Sequence, residues 1–183
     1  VWPETVSVPV AAQFAGSIFD LSPATTYEVE LHAVDPDGFD ETFVLSVTTR
    51  AVPTDPAAPN VVDVANAAEL PAALANAQPG DVIVLADGMY AGPFSMNASG
   101  TAESPIVIRG ASVDGVVLDG ADCLCNVLEV YGSYVHVEAM TLQNAHTALG
   151  FQGKGATGNV ARRLRVRDVI NGLRSRPDQT DFL

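Results

Sequence analysis

The feature that most constrains the fold of this chain is a repeat. Leu118, Leu142 and Val166 stand 24 residues apart. Their neighbours keep step, with Val117, Thr141 and Arg165 on one side and Asp119, Gln143 and Arg167 on the other. Gly120, Asn144 and Asp168 share the turn position that follows. One more step back reaches Phe94, and a second series runs Val82, Ile106, Val130, with Val84 and Ile108 beside it. Short alternating strands with turn residues at this spacing read as coils of a parallel β-helix. A single coil cannot bury its inward face, so coils stack about 4.8 Å apart, apolar ladders inside and polar residues outside. About four coils are expected, with residues 82–85 as the first strand.

The segment before that strand reads as a helix. Asn66-Ala-Ala-Glu69 has capping-box spacing. Leu70, Ala73, Leu74 and Ala77 repeat as one helical stripe, Pro71 moves the start slightly later, and Pro79-Gly80 stops it. A helix here would cover the open end of the first coil, where unpaired strand edges invite aggregation. No comparable cap follows Val166, and the chain ends in the polar run "RSRPDQTDFL". With no initiator Met and no signal-peptide pattern at its start, the chain is read as a fragment. The last coil is then expected to pair on one edge only, or with a missing segment or another copy.

Residues 62–120 resemble the N-terminal part of right-handed parallel β-helix polysaccharide lyases, the alginate lyase and chondroitinase-B-like enzymes of polysaccharide lyase family six. The matching elements are Gln78-Pro-Gly-Asp81, Gly88-x-Tyr90, Gly100-Thr101 and Pro105-Ile-x-Ile-Arg109-Gly110. The resemblance implies an all-β fold over 61–183, a capping helix followed by the first coils. It also implies a secreted enzyme that cuts an acidic, uronate-containing polysaccharide by β-elimination. A cation, usually calcium or Arg/Lys, neutralises the uronate carboxylate and a basic residue removes the C5 proton. In the family these groups come from middle coils, so the catalytic residues are expected beyond Leu183 and none is carried over.

Residues 1–50 read differently. Apolar residues alternate at Tyr27, Val29, Leu31 and at Phe43, Leu45, Val47, and residues 14–19 form a short apolar run. Ser22-Pro23 and Asp35-Pro36-Asp37-Gly38 are turn signals, so three strands in up-and-down order are expected. "LSPATTYEVELHAVDPDG…SVTTR" resembles the last three strands of a fibronectin type III domain. Tyr27 takes the place of its corner tyrosine, whose hydroxyl bonds to nearby backbone. The resemblance implies a partial sandwich and a spacer or adhesive module. "DPDGFDE" lacks the ligand spacing of a calcium loop and reads as a polar hairpin turn. Residues 51–60 hold three prolines and read as a stiff linker.

Charge divides the chain. Residues 1–153 hold 19 of the 22 acidic groups against Arg50 and Arg109, and the other seven basic residues lie between Lys154 and Arg176. The acidic body disfavours nucleic acid, and no stretch is long enough to span a membrane. Lys154, Arg163, Arg165 and Arg167, with Arg162, are candidates for a cationic strip that pairs glycan carboxylates. The competing reading makes Arg162 an exposed cross-strand partner of Glu138. His136 and Glu138 flank Val135 and Val137, so both point outward; His136 is a candidate glycan or metal contact on a solvated face. The spacing of Cys123 and Cys125 reads as poor for a mutual disulfide, because adjacent strand positions point apart, and leaves a buried thiol with an exposed one or a bridge to chain not present here. Asn97-Ala-Ser99 fits a glycosylation acceptor. A non-catalytic carbohydrate-binding or surface-adhesion β-helix is the alternative function, with a glycosidase or epimerase on the same fold behind it.

Overall fold

The computed structural model describes residues 17–176 and 178. Two compact units divide between Val52 and Pro53. In the first, β1 (Thr26–Val34) and β2 (Asp40–Thr48) form an antiparallel hairpin. Asp35 accepts a hydrogen bond from the Asp37 amide in the connecting turn. The Ser22 amide donates to the Tyr27 hydroxyl at 2.8 Å, so the corner bond is present. Residues 17–19 are not strand, and residues 14–16 lie outside the described residues. The described part of this unit is therefore two strands where three were expected. Leu31, Phe43, Leu45 and Val47 lie on its apolar side and are exposed among the described residues.

The second unit is a parallel β-solenoid that starts earlier than the sequence suggested. Its first strand is β3 (Asn60–Val64), before the helix α1 (Leu70–Asn76). Glu69 does not cap the helix with its side chain. Its carboxylate accepts instead from the Ala65 amide and the Asn66 side chain, each at 2.8 Å, and ties the loop that leaves β3. Pro71 sits in the first turn, where its missing N–H costs nothing. Leu70 and Leu74 are buried against the solenoid core, which makes α1 the cap of the first coil. The switch back to strand at residue 78 has a local cause. Gly80 turns the chain at φ 92°, and Asp81 accepts a 2.7 Å bond from the Gln78 amide.

Two sheets then run along the stack. The first consists of β3, β4 (Asp81–Leu85), β7 (Ile106–Gly110), β9 (Val135–Glu138) and β11 (Val160–Arg162), five strands in that spatial order. The second orders β5 (Gly88–Ala91), β8 (Val116–Val130), β10 (Thr141–Phe151) and β12 (Arg165–Ser175), with β6 (Phe94–Met96) also on β8. All these pairings are parallel. The long strands bend at left-handed residues, Asn144 at φ 55° and Asp168 at φ 53°, the turn positions that the repeat had picked out.

The 24-residue step holds from Leu118 to Leu142 to Val166, and all three share a ladder with Tyr90. It fails elsewhere. Phe94 pairs with Leu128, Val82 with Val107, Ile106 with Val135, and Val130 with Met96 and Phe151. Two insertions break the register: the loop between β6 and β7, and a bulge in β8. In the bulge Asp119 opposes Gln143, but Asn126 opposes Thr147. Ala121 and Asp122 have positive φ there, which breaks strand alternation, and Cys123 and Cys125 form a disulfide with Cα atoms 5.1 Å apart. Strand alternation had argued against that bond; the bulge removes the premise. Among the described residues β11 and β12 each pair on one edge only.

Candidate functional site

Three outward clusters gather polar and charged side chains on the solenoid. On the first sheet, Glu138 faces out from β9 yet is 0% exposed. It accepts hydrogen bonds from Arg109 on β7, Arg162 on β11 and Arg163, the last at 2.9 Å. These three guanidinium groups outweigh burial and hold its carboxyl at about 2. Arg109 also binds Asp55, and Arg162 donates to the Pro53 carbonyl at 2.7 Å. The proline-rich segment thus lies over this face of its own unit. His136, one residue pair away, is only 6% exposed, and its Nδ1 has no hydrogen-bond partner. Burial pushes its pKa down. Period-two alternation gave the direction of His136 and Glu138 correctly and their exposure wrongly, because the covering residues come from far along the chain.

The second cluster is a ladder at the corner of the long strands. Gln143 donates to Asp119 at 2.6 Å, Asn144 donates to the same oxygen at 2.8 Å, and Arg167 donates to Gln143. The Gln143 hydrogen bond leads the contacts that hold the Asp119 carboxyl below its ordinary value.

The third cluster lines an open cleft of about 520 Å³ on the far leg of the second sheet. Its floor is a rung in which Glu129, Gly150 and Arg174 are register partners on β8, β10 and β12. Glu129 accepts from Asn126 at 2.8 Å and from the Tyr131 hydroxyl at 2.9 Å. That bond to a carboxylate raises the Tyr131 pKa. A Cβ at Gly150 would lie 2.8 Å from the Asn126 side-chain amide nitrogen, so Asn126 would have to shift. His146 projects into the cleft with Nδ1 3.2 Å from the Thr147 hydroxyl. The Asn171 side-chain nitrogen lies 3.4 Å from the same Nδ1. In the tautomer that carries its proton on Nδ1, donated to the Thr147 hydroxyl, Nε2 keeps its lone pair. Arg174 lines the same cleft and has no ion-pair partner among the described residues. Leu124, between the bonded cysteines, stands at the rim and is 92% exposed.

The residues singled out from sequence do not form one strip. Arg163 is on Glu138, Arg165 pairs with Asp114, Arg167 is on Gln143, His136 is under cover, and Lys154 is exposed in the turn after β10. Sequence reasoning missed Arg174, Glu129 and Asn126, and gave His146 no role. The signal that joins them is a rung whose spacing is 21 residues from Glu129 to Gly150 and 24 from Gly150 to Arg174. No group of three or more His, Cys, Asp and Glu among the described residues could hold a metal ion. The cleft's donors do not fit calcium either, since its one carboxylate already accepts from Asn126 and Tyr131. No helix among the described residues is long and apolar enough to cross a membrane.

A parallel β-solenoid with a charged cleft on its outer face is a frame on which carbohydrate-acting proteins are built, and comparison with known proteins points the same way. The family model for Chondroitinase B matches residues 64–154. An alginate lyase from Paenibacillus sp. str. FPU-7 is similar in structure, with 26% identity over 64% of this chain and 58% of that one, and a TM-score of 0.50. A mannuronic acid specific polysaccharide family 6 lyase from human gut microbiota has 28% identity over 55% of this chain and 25% of that one, with a TM-score of 0.45. The chain therefore spans 58% of the length of the first of these structures. A search of the curated proteins finds no match.

Proposed function

We propose that the solenoid belongs to a secreted polysaccharide lyase that cleaves a uronate-containing chain by β-elimination. The observation that carries this reading is the pairing, in one open cleft, of an arginine with no ion-pair partner among the described residues and a histidine whose ring lines the same cleft. The Chondroitinase B match and the structural likeness to an alginate lyase support the reaction class. In this reading Arg174 pairs with the uronate carboxylate and stabilises charge that develops as the C5 proton leaves. His146 Nε2 accepts that proton. The C5 electron pair forms the C4–C5 double bond, the C4–O4 bond breaks, and the departing oxygen takes a proton from water at the open cleft. Asn126 and Glu129 are placed to hydrogen-bond sugar hydroxyls. The cation is thus assigned to arginine rather than calcium.

The Cys123–Cys125 disulfide supports an oxidising, extracellular location. The hairpin with its Tyr27 corner bond fits a spacer module of fibronectin type III kind. The rival reading, a non-catalytic glycan-binding platform, shares the cleft and differs in outcome. Incubation with alginate, pectate and unsulfated chondroitin, with and without calcium, should give unsaturated-uronate absorbance with at least one polymer. Binding without any such rise would favour the platform.

A further inference from the structure

The cleft does not end at Glu129. A second depression of about 320 Å³ meets it at Pro93 and continues past Ser95 and Asn97 to Pro71 and Ala75 of the capping helix. Ser95 is the register partner of Glu129 on β6. The outward rung therefore reads Ser95, Glu129, Gly150, Arg174 along the stack, about 14 Å over three coil steps. One coil step is close to the length that one hexose adds to a linear polysaccharide, so a chain lying along this groove would place roughly one sugar per coil. The charges are unevenly spread. The single cation is at the β12 end, the carboxylate lies two coils away, and nothing in the depression toward the helix is charged. The whole chain has a formal net charge of −13, which repels a dense polyanion at a distance.

We propose that the groove takes a heteropolysaccharide in which uronates are sparse: one uronate at Arg174, followed toward the helix by uncharged sugars. A polyuronate would set a second carboxylate against Glu129 and further ones in a stretch with no cation. This inference rests on the Arg174 and His146 reading of the cleft and narrows its substrate class.

The test compares polymannuronate, charged at every sugar, with an unsulfated polymer that carries one glucuronate in a tetrasaccharide repeat. Binding by titration calorimetry and release of unsaturated product are measured in parallel at low salt. The wild-type chain should bind and cleave the sparse polymer with a KM about tenfold lower per uronate. Glu129→Gln should lower the KM for polymannuronate about three- to tenfold and so narrow the preference for the sparse polymer. Ser95→Arg, at an exposed position, should act in the same direction. Equal or tighter handling of polymannuronate by the wild type, or two variants that leave the preference unmoved, would overturn the inference. Preferential binding of the sparse polymer without unsaturated product would uphold it and overturn the lyase reading alone; binding of neither polymer would overturn both.

Discussion

Replacing Glu138 by Gln tests how the covered face of the solenoid is held. Its carboxylate is 0% exposed and meets Arg109, Arg162 and Arg163, whose own side chains are 27%, 26% and 61% exposed. Removing one partner of a buried pair costs about 3–5 kcal/mol, less here because the arginines keep some water. The carboxyl pKa gives a second route to the magnitude. A fall from 4.5 to about 2 corresponds to roughly 3 kcal/mol of linked stability. The folded-state value is depressed, so this contribution is complete above about pH 5 and is lost as pH falls through the folded pKa, toward 2. Equilibrium urea unfolding should therefore show Glu138→Gln destabilised by about 3 kcal/mol at pH 7, with the gap to wild type closing progressively from about pH 5 toward about pH 2. A gap below about 1 kcal/mol at neutral pH, or one that stays constant on acidification, would refute the buried-carboxylate account.

Other outcomes follow from the same structure. Leu74→Ala in the capping helix should cost about 2–5 kcal/mol in the same unfolding measurement, since the side chain is fully buried. Arg174→Ala should lower kcat/KM of uronate cleavage about 100-fold or more, whereas Arg165→Ala, an exposed partner of Asp114, should leave it within about threefold. The native protein should take up no thiol reagent, and Cys123→Ser with Cys125→Ser should lose only about 1–2 kcal/mol, because the closed loop is so short.

What could be read from the sequence follows from where the repeat is regular. Leu118, Leu142 and Val166 were placed correctly because their coils have equal length: the bulge in β8 is offset by a longer turn after β10. Phe94 and the Val82 series were misplaced because the loop after β6 and the bulge around Cys123 change the step, and inserted residues carry no periodic mark of their own. The exposure of His136 and Glu138 could not be read from alternation. Arg162 reaches the Pro53 carbonyl across 109 residues, and a local period says nothing about a segment that folds back from such a distance. The strand β3 was hidden for a related reason: residues 60–64 follow three prolines that read as linker. The cleft joins Glu129, His146 and Arg174 from three coils whose spacings differ, so one fixed period could not superpose them.

The central claim is that Arg174 and His146 form an eliminating site, and the chemistry of the product tests it most directly. Mass spectrometry of products from a uronate-containing heteropolysaccharide should show a new non-reducing end one water lighter than a hydrolysis product, formed by the wild type and lost in both Arg174→Ala and His146→Ala. Products of hydrolytic mass, or unsaturated product that persists undiminished in both variants, would contradict it.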